Sequence, residues 1–324
     1  MRIAVDAMGG DHAPVEIVKG AVAAAREAPG HEIILVGQEE RMRACLDGLS
    51  LPNLRICHAS EVLEMDDKPV EALRKKRDTS ISRATAMVAA GEADAVVSAG
   101  NTGGAVASAL LTLKPLPGIR RPGLLVRLPT AKGYAALIDV GANVEAKPAH
   151  LLHYATMGYV YARHVLGVER PSVGLLNIGE EEGKGSRSLR ETFDLFRASA
   201  LPFIGNIEGQ EVFAGKVDVI VCEAVVGNIV IKLSEGLMES LFRMMAPHIT
   251  SPTVLREIQR WDYSEAGGGH LLGVDGVVTV CHGRSLAPSL TCAIRRTLEF
   301  GNADLNRHLA EALKALESIP GKGP

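Results

Sequence analysis

Arg2-Ile3-Ala4-Val5-Asp6-Ala7-Met8-Gly9-Gly10-Asp11-His12-Ala13-Pro14 opens the chain, and its reading decides the fold. Arg2 to Asp6 is a short apolar run, Met8 to Pro14 is a glycine-marked polar loop, and Pro14 to Glu27 has helical period. The same phrase recurs. Apolar runs at Glu32 to Val36, Leu54 to His58, Ala95 to Ser98, Gly123 to Leu128, Ala135 to Val140, Ser172 to Asn177, Val217 to Cys222 and Gly276 to Cys281 read as strands. Helices are expected at Gly103 to Leu113, Pro148 to Leu166, Arg187 to Ala198, Ile229 to Met245 and Leu286 to Phe300, with a last one near Asn302 to Leu316. Strands rich in Val, Ile and Leu are covered on both faces by helices, so the alternation predicts an α/β fold: a doubly wound, mostly parallel sheet in a three-layer αβα arrangement. No linker or repeat divides the sequence. Residues 1–318 read as a single α/β domain, 229–269 as a helical protrusion for a dimer or membrane contact, and 319–324 as a frayed tail.

Composition narrows the function. The chain has 324 residues, a formal charge of -3 and 47% hydrophobic residues, enough to bury a core without disulfides or structural metal. No apolar run approaches the roughly 20 residues of a membrane-spanning helix, and the start lacks the features of a secretory signal, which predicts a cytoplasmic protein. Five scattered cysteines read as reduced thiols. Without CxxC or HExxH spacing, no protein-ligated metal is expected. Near-neutral charge and 4% aromatic residues argue against nucleic acid, which calls for a basic surface and stacking rings.

In an open parallel sheet, ligands bind outside the carboxyl ends of the strands, so the loops there locate the chemistry. They are Met8 to Pro14, Ser98 to Gly104, Asp139 to Asn143, Asn177 to Ser186, Glu223 to Asn228 and His282 to Ser285. Each is small, polar and glycine-marked. Glycine lets a ligand approach backbone N–H groups, and a following helix N-terminus favours an anion. One such loop needs Gly and Asn for turn geometry alone; six together imply a phosphate-like ligand. The usual nucleotide patterns are missing. There is no GxGxxG, and Gly179 to Gly185 departs from a P-loop in spacing, in Gly185 where Ser or Thr holds magnesium, and in three acids. No GxSxG elbow supports a serine nucleophile.

The opening stretch, SAGNTG (Ser98 to Gly103), DVGANV (Asp139 to Val144), LLNIGEEE (Leu175 to Glu182), GNIEG (Gly205 to Gly209), Val226-Gly227-Asn228 and LLGVDGV (Leu272 to Val277) follow one another in an order that resembles the PlsX family of bacterial phosphate acyltransferases. The likeness runs from Met1 to about Phe300. It implies a Rossmann-like fold related to phosphotransacetylases and to isocitrate and isopropylmalate dehydrogenases, a homodimer, and no cofactor. The implied reaction is transfer of a long-chain acyl group from acyl carrier protein to inorganic phosphate in phospholipid synthesis. The chain departs from the family pattern at Glu223-Ala224-Val225, where relatives carry Asp-Gly-Phe, at His270 in place of proline, and in a short stretch after Met245. A peripheral membrane contact on the inner face of the cell membrane belongs to the same expectation. Leu237, Met238, Leu241, Phe242, Met244 and Met245 form the apolar surface for it, or for the dimer partner.

Phosphate is itself the nucleophile in such a reaction, so the protein must hold an anion and stabilise an oxyanion. Lys184 is the first candidate, as holder of phosphate or oxyanion; alternatively it neutralises Glu180, Glu181 and Glu182. Asn228 either donates a hydrogen bond to the thioester carbonyl or caps a helix. His12 either handles the phosphate proton or completes a turn beside Asp11. Gly10, Asp11, Asn101, Thr102, Gly103, Asn177, Glu181 and Gly227 are candidate phosphate or substrate contacts, and Asp139 with Asn143 is expected to position Lys184 or a water. An acidic carrier calls for a basic docking surface; Arg74 to Arg77 with Arg83, and Arg120-Arg121, are candidates for it. Three other functions fit the pattern less well: phosphotransacylase on acyl-coenzyme A, nicotinamide-dependent dehydrogenase, and non-catalytic adaptor.

Overall fold

The computed structural model of the chain describes residues 1–251, 253–254, 261 and 267–317. In chain order the elements are β1 (Arg2–Asp6), α1 (Val15–Glu27), β2 (Glu32–Gly37), α2 (Glu39–Leu46), β3 (Leu54–His58), α3 (Pro69–Lys75), α4 (Ser80–Ala89), β4 (Ala95–Ser98), α5 (Thr102–Thr112), β5 (Gly123–Thr130) and β6 (Gly133–Ile138). There follow α6 (Pro148–His164), β7 (Val173–Leu176), α7 (Arg187–Arg197), β8 (Phe203–Ile207), β9 (Val219–Val221), α8 (Ala224–Met245), β10 (Gly269–Leu272), β11 (Val277–Val280), α9 (Ala287–Asn302) and α10 (Leu305–Glu317). The fold class read from the alternation is the one found. The tail expected to fray at 319–324 lies outside the described residues, as does most of 252–266.

The chain packs as two compact units, Met1–Leu116 with Gly267–Asn306, and Pro117–Ala266 with Arg307–Pro324. In the first, strands run in the order β3-β2-β1-β4-β11-β10, all parallel except β10 against β11. Ile3, Val5, Ile33, Leu35 and Val97 are fully buried, since helices cover the sheet. The small residues Ala21, Ala24 and Ala25 of α1 face Leu290, Ala293 and Ile294 of α9 in the same core. Each of the larger side chains contributes about 1.5–3 kcal/mol by leaving water.

In the second unit the order is β5-β6-β9-β7-β8. β5 and β6 form an antiparallel hairpin, with Thr130 opposite Gly133, and the other neighbours are parallel. The buried face of α6, with Leu151, Tyr154, Met157, Val160 and Tyr161, packs on β6 and β9. Phe193 and Phe196 of α7 meet Phe203 edge-on at 5.1 and 5.2 Å. Strand order reverses between β1 and β4 in one unit and between β7 and β9 in the other, which are the places where such sheets open a crevice.

Several elements differ from the expectation. β8 and β10 are not among the expected strands, because glycines interrupt or flank their short apolar runs; main-chain pairing makes them strands. The helix α2 is polar, burying only Met42, so its sequence has no apolar stripe to announce it. The helix expected at Ile229 begins at Ala224 with Glu223 as its N-cap residue. Among the described residues no helix is long and apolar enough to cross a membrane.

Candidate active site

Three of the glycine-marked loops gather in the second unit, after the neighbouring strands β6, β9 and β7. Asp139 organises the first of them. Its carboxylate accepts backbone N–H groups from Leu124 (3.0 Å), Gly141 (3.0 Å), Ala142 (2.9 Å) and Asn143 (2.9 Å). Burial pushes its pKa above the ordinary carboxylate value against the pull of these donors. Through these bonds the two oxygens bend the chain after β6 into a loop of inward N–H groups. Asn143 also turns inward, its amide donating to the Tyr154 hydroxyl at 3.1 Å, which in turn donates to the Pro122 carbonyl at 3.2 Å.

Gly227 lets α8 close on that loop. A Cβ at Gly227 would run into the Asp139 carbonyl oxygen and lie 2.9 Å from the Cys222 sulfur, so only glycine permits the approach. Cys222 donates to the same Asp139 carbonyl at 3.4 Å, and burial pushes its thiol pKa up, which keeps it protonated and inert. One residue on, the Asn228 amide donates to the Val140 carbonyl at 3.2 Å. Asn228 therefore does not cap the helix. It spans from the first turns of α8 to the β6 loop, leaving its second N–H for another acceptor.

The third loop is strapped by two asparagines. Buried Asn177 accepts the Ile178 N–H at 2.8 Å and donates to the Lys184 carbonyl at 3.2 Å; Asn206 donates to the Glu181 carbonyl at 2.9 Å. Gly185 (φ +85°) follows in a left-handed conformation where a side chain would strike Asn177. Ser186 then caps α7, its hydroxyl accepting the Leu189 N–H at 3.2 Å. The Lys184 ammonium is half exposed, and its ion pair with exposed Glu181 is long, 3.8 Å. Lys184 is thus held by its backbone while its charge stays available. Glu182 pairs with Arg197 at 2.9 Å instead of with Lys184.

The other three loops gather in the first unit. The Asp11 N–H donates to the Gly283 carbonyl at 2.8 Å, and Gly9 packs against Gly100. Beneath them the Ser98 hydroxyl donates to buried Asp6 at 2.7 Å and accepts the Gly100 N–H at 3.1 Å. His12 and Asp11 are exposed beside Gly10, as are Thr102 and Gly103 at the start of α5. Asn101 is committed: its oxygen caps α5 through the Gly104 N–H at 3.0 Å, and its amide donates to the Met65 and Asp67 carbonyls at 2.8 and 3.3 Å. In the candidate basic surface, Lys76 pairs with Asp67 at 2.6 Å and Arg83 with Asp78 at 2.6 Å, so both charges already have partners.

Sequence reading missed Asp6, Tyr154 and Asn206. Asn206 lies within the motif GNIEG, whose glycines hid a strand end; nothing in the sequence marks Asp6 or Tyr154 apart from core.

A family model described as "Fatty acid synthesis protein" matches residues 1–308. The phosphate acyltransferase of Pelotomaculum thermopropionicum is 46% identical over 336 residues, covering 100% of this chain and 97% of that protein. The phosphate acyltransferase of Geobacter sulfurreducens is 44% identical over 329 residues, covering 97% and 94%. Among solved structures, a phosphotransacetylase from Streptococcus pyogenes superposes with TM-score 0.61 at 18% identity, covering 98% of this chain and 94% of that one. A branched-chain phosphotransacylase from Enterococcus faecalis V583 gives TM-score 0.62 at 16% identity, covering 93% and 99%. At such identities these two speak for the fold alone.

Proposed function

The chain belongs to the phosphate acyltransferase family, and from that premise we propose that it transfers a long-chain fatty acyl group from the thioester of acyl carrier protein to inorganic phosphate, in the cytoplasm, as a step of phospholipid synthesis. A phosphate oxygen attacks the thioester carbonyl carbon, the C–S bond breaks, and the leaving thiolate takes up the proton of hydrogen phosphate. The protein's share is to place the two reactants and to stabilise the oxyanion between these steps. Asn228 supplies an N–H for that oxyanion, and Lys184 supplies the charge that holds phosphate or the oxyanion. Asn177, Gly227 and Asp139 set the loops from which these groups project. The observation that supports this reading best is Lys184, a cation on a strapped loop at the carboxyl end of β7 with its charge only loosely paired.

The test is to incubate purified protein with phosphate and either palmitoyl-acyl carrier protein or palmitoyl-coenzyme A, and to follow thiol release. Lys184→Ala and Asn228→Ala are each expected to lower turnover by about 10²-fold or more, as when an oxyanion donor is removed, with donor binding little changed. Undiminished turnover removes those roles, and equal or better use of coenzyme A removes the carrier assignment. The long α8 exposes Leu233, Leu237, Phe242, Met244 and Met245, and we assign that face to homodimer contact, with peripheral membrane contact as the second use of the same surface.

A further inference from the structure

Below α8, on the side away from its exposed face, a groove is lined by Ile231 and Met238 of the helix, Leu128 and Pro129 of β5, and the rings of Phe213 and Trp261. We propose that this groove receives the acyl chain of the thioester substrate and sets the chain length that the enzyme accepts, a proposal that rests on the acyl-transfer reading above.

The groove starts beside the reacting centre. Asn228 and Ile231 are three apart on α8 and so share a face. Ile231, Ser234, Glu235 and Met238 continue along the helix at the same spacing, so the lining runs away from Asn228. Ten residues of helix from Asn228 to Met238 span about 15 Å, a length suited to an extended alkyl chain. As it stands the groove is closed down to about 30 Å³, room for about one water, so an alkyl chain enters it as α8 moves outward. Its surface is almost wholly carbon. The Arg127 guanidinium lies over the Tyr134 ring at 3.6 Å. Arg127 and Glu235, which border the groove, carry opposite charges, so their sum offers nothing to an ionic ligand. The Phe213 and Trp261 rings, 5.9 Å apart, form the aromatic part of the wall. The helix can also yield: of its 22 residues only Ala224, Gly227, Ile231 and Glu235 are buried, so past Glu235 it has no buried side chain to hold it down.

Trp261 is the only tryptophan of the chain, which makes the groove directly observable. Palmitoyl and butyryl thioesters, offered on tryptophan-free acyl carrier protein and on coenzyme A, are titrated into the intact protein while its emission and sedimentation are followed. The palmitoyl donors are expected to shift the emission saturably at constant oligomeric state, and the butyryl donors to leave it unchanged. A shift that is equal for both chain lengths, or that tracks a change in sedimentation, overturns the proposal; the latter gives the groove to a second copy. Met238→Phe narrows the groove without touching Asn228 or Lys184. It is expected to lower kcat/KM for the palmitoyl donor about 10-fold or more, each methylene left outside costing about fourfold. The butyryl donor should stay within about twofold, since its chain does not reach Met238. Equal loss with both donors also overturns the groove assignment. If the unmodified protein turns over neither donor, the acyl-transfer reading fails, and the emission titration still decides the groove.

Discussion

Replacing Gly227 with alanine separates a structural constraint from simple helix propensity. In an unconstrained helix, Gly→Ala stabilises by roughly 0.5–1 kcal/mol, because glycine loses more backbone freedom on folding. At Gly227 the added methyl collides with the backbone oxygen of Asp139 and meets the Cys222 sulfur at 2.9 Å. A backbone oxygen cannot rotate aside. The loop it belongs to is fixed by four N–H bonds to the Asp139 carboxylate, so α8 must retreat. Overpacking of this kind costs about 1–3 kcal/mol, which exceeds the propensity gain. Retreat of about 1 Å also carries Asn228 away from the Val140 carbonyl, and displacement of that size in a reacting centre costs on the order of 10²-fold in rate. Gly236 lies on the same helix with open space around its Cβ position, and serves as the internal control. Urea unfolding and phosphate-dependent thiol release are measured for both variants. Gly236→Ala is expected to gain roughly 0.5–1 kcal/mol with unchanged turnover, whereas Gly227→Ala loses both stability and turnover. If Gly227→Ala matched Gly236→Ala in both measurements, the close approach of α8 to the Asp139 loop would be wrong.

Asn206→Ala releases the Glu181 carbonyl and loosens the loop that carries Lys184, so KM for phosphate should rise severalfold while the unfolding midpoint moves little; an unchanged KM would detach the strap from anion binding. Asn101→Ala removes the α5 cap and two loop bonds, and is expected to cost about 1 kcal/mol of stability in urea melts; a neutral result would refute the capping geometry. Buried His270 accepts or donates at Thr279 (3.0 Å) and stacks on Phe300 at 4.8 Å; burial lowers its pKa from 6.5 to about 4. A histidine harder to protonate when folded contributes stability that is full above pH 6.5 and is lost as pH falls toward 4, on the order of 3 kcal/mol in all. His270→Gln should flatten the pH dependence of urea stability in that window, and a slope equal to that of the unmodified chain would count against it.

How far the site was legible depends on whether a residue's role is local. The turn-forming glycines and the small polar residues after each strand stood out, because backbone geometry demands them wherever the chain reverses at a sheet edge. The roles of the asparagines were not legible. Asn101 and Asn177, expected at a ligand, and Asn143, expected to position Lys184 or a water, each give an amide N–H to the protein: Asn101 to Met65 and Asp67, Asn143 to Tyr154, and Asn177 to Lys184. An amide side chain reads the same in sequence whether its partner is a phosphate or a carbonyl many residues away. The start of α8 was misplaced for a related reason: Val225, Val226 and Gly227 have weak helix propensity, and packing against the β6 loop outweighs it.

By itself, then, the order of residues determined a sheet of buried apolar strands, the loops at their carboxyl ends, and Lys184 as a cation among acids. These follow from periodicity and turn chemistry within a few residues of each position. Only the tertiary structure decided that β9 inserts between β6 and β7, bringing Asn228 against Val140, 88 residues earlier in the chain. It alone also decided that α8 leaves an apolar groove beneath it. Strand order and helix standoff depend on which distant surfaces fit closely enough to exclude water, and a sequence pattern records only that a surface is apolar.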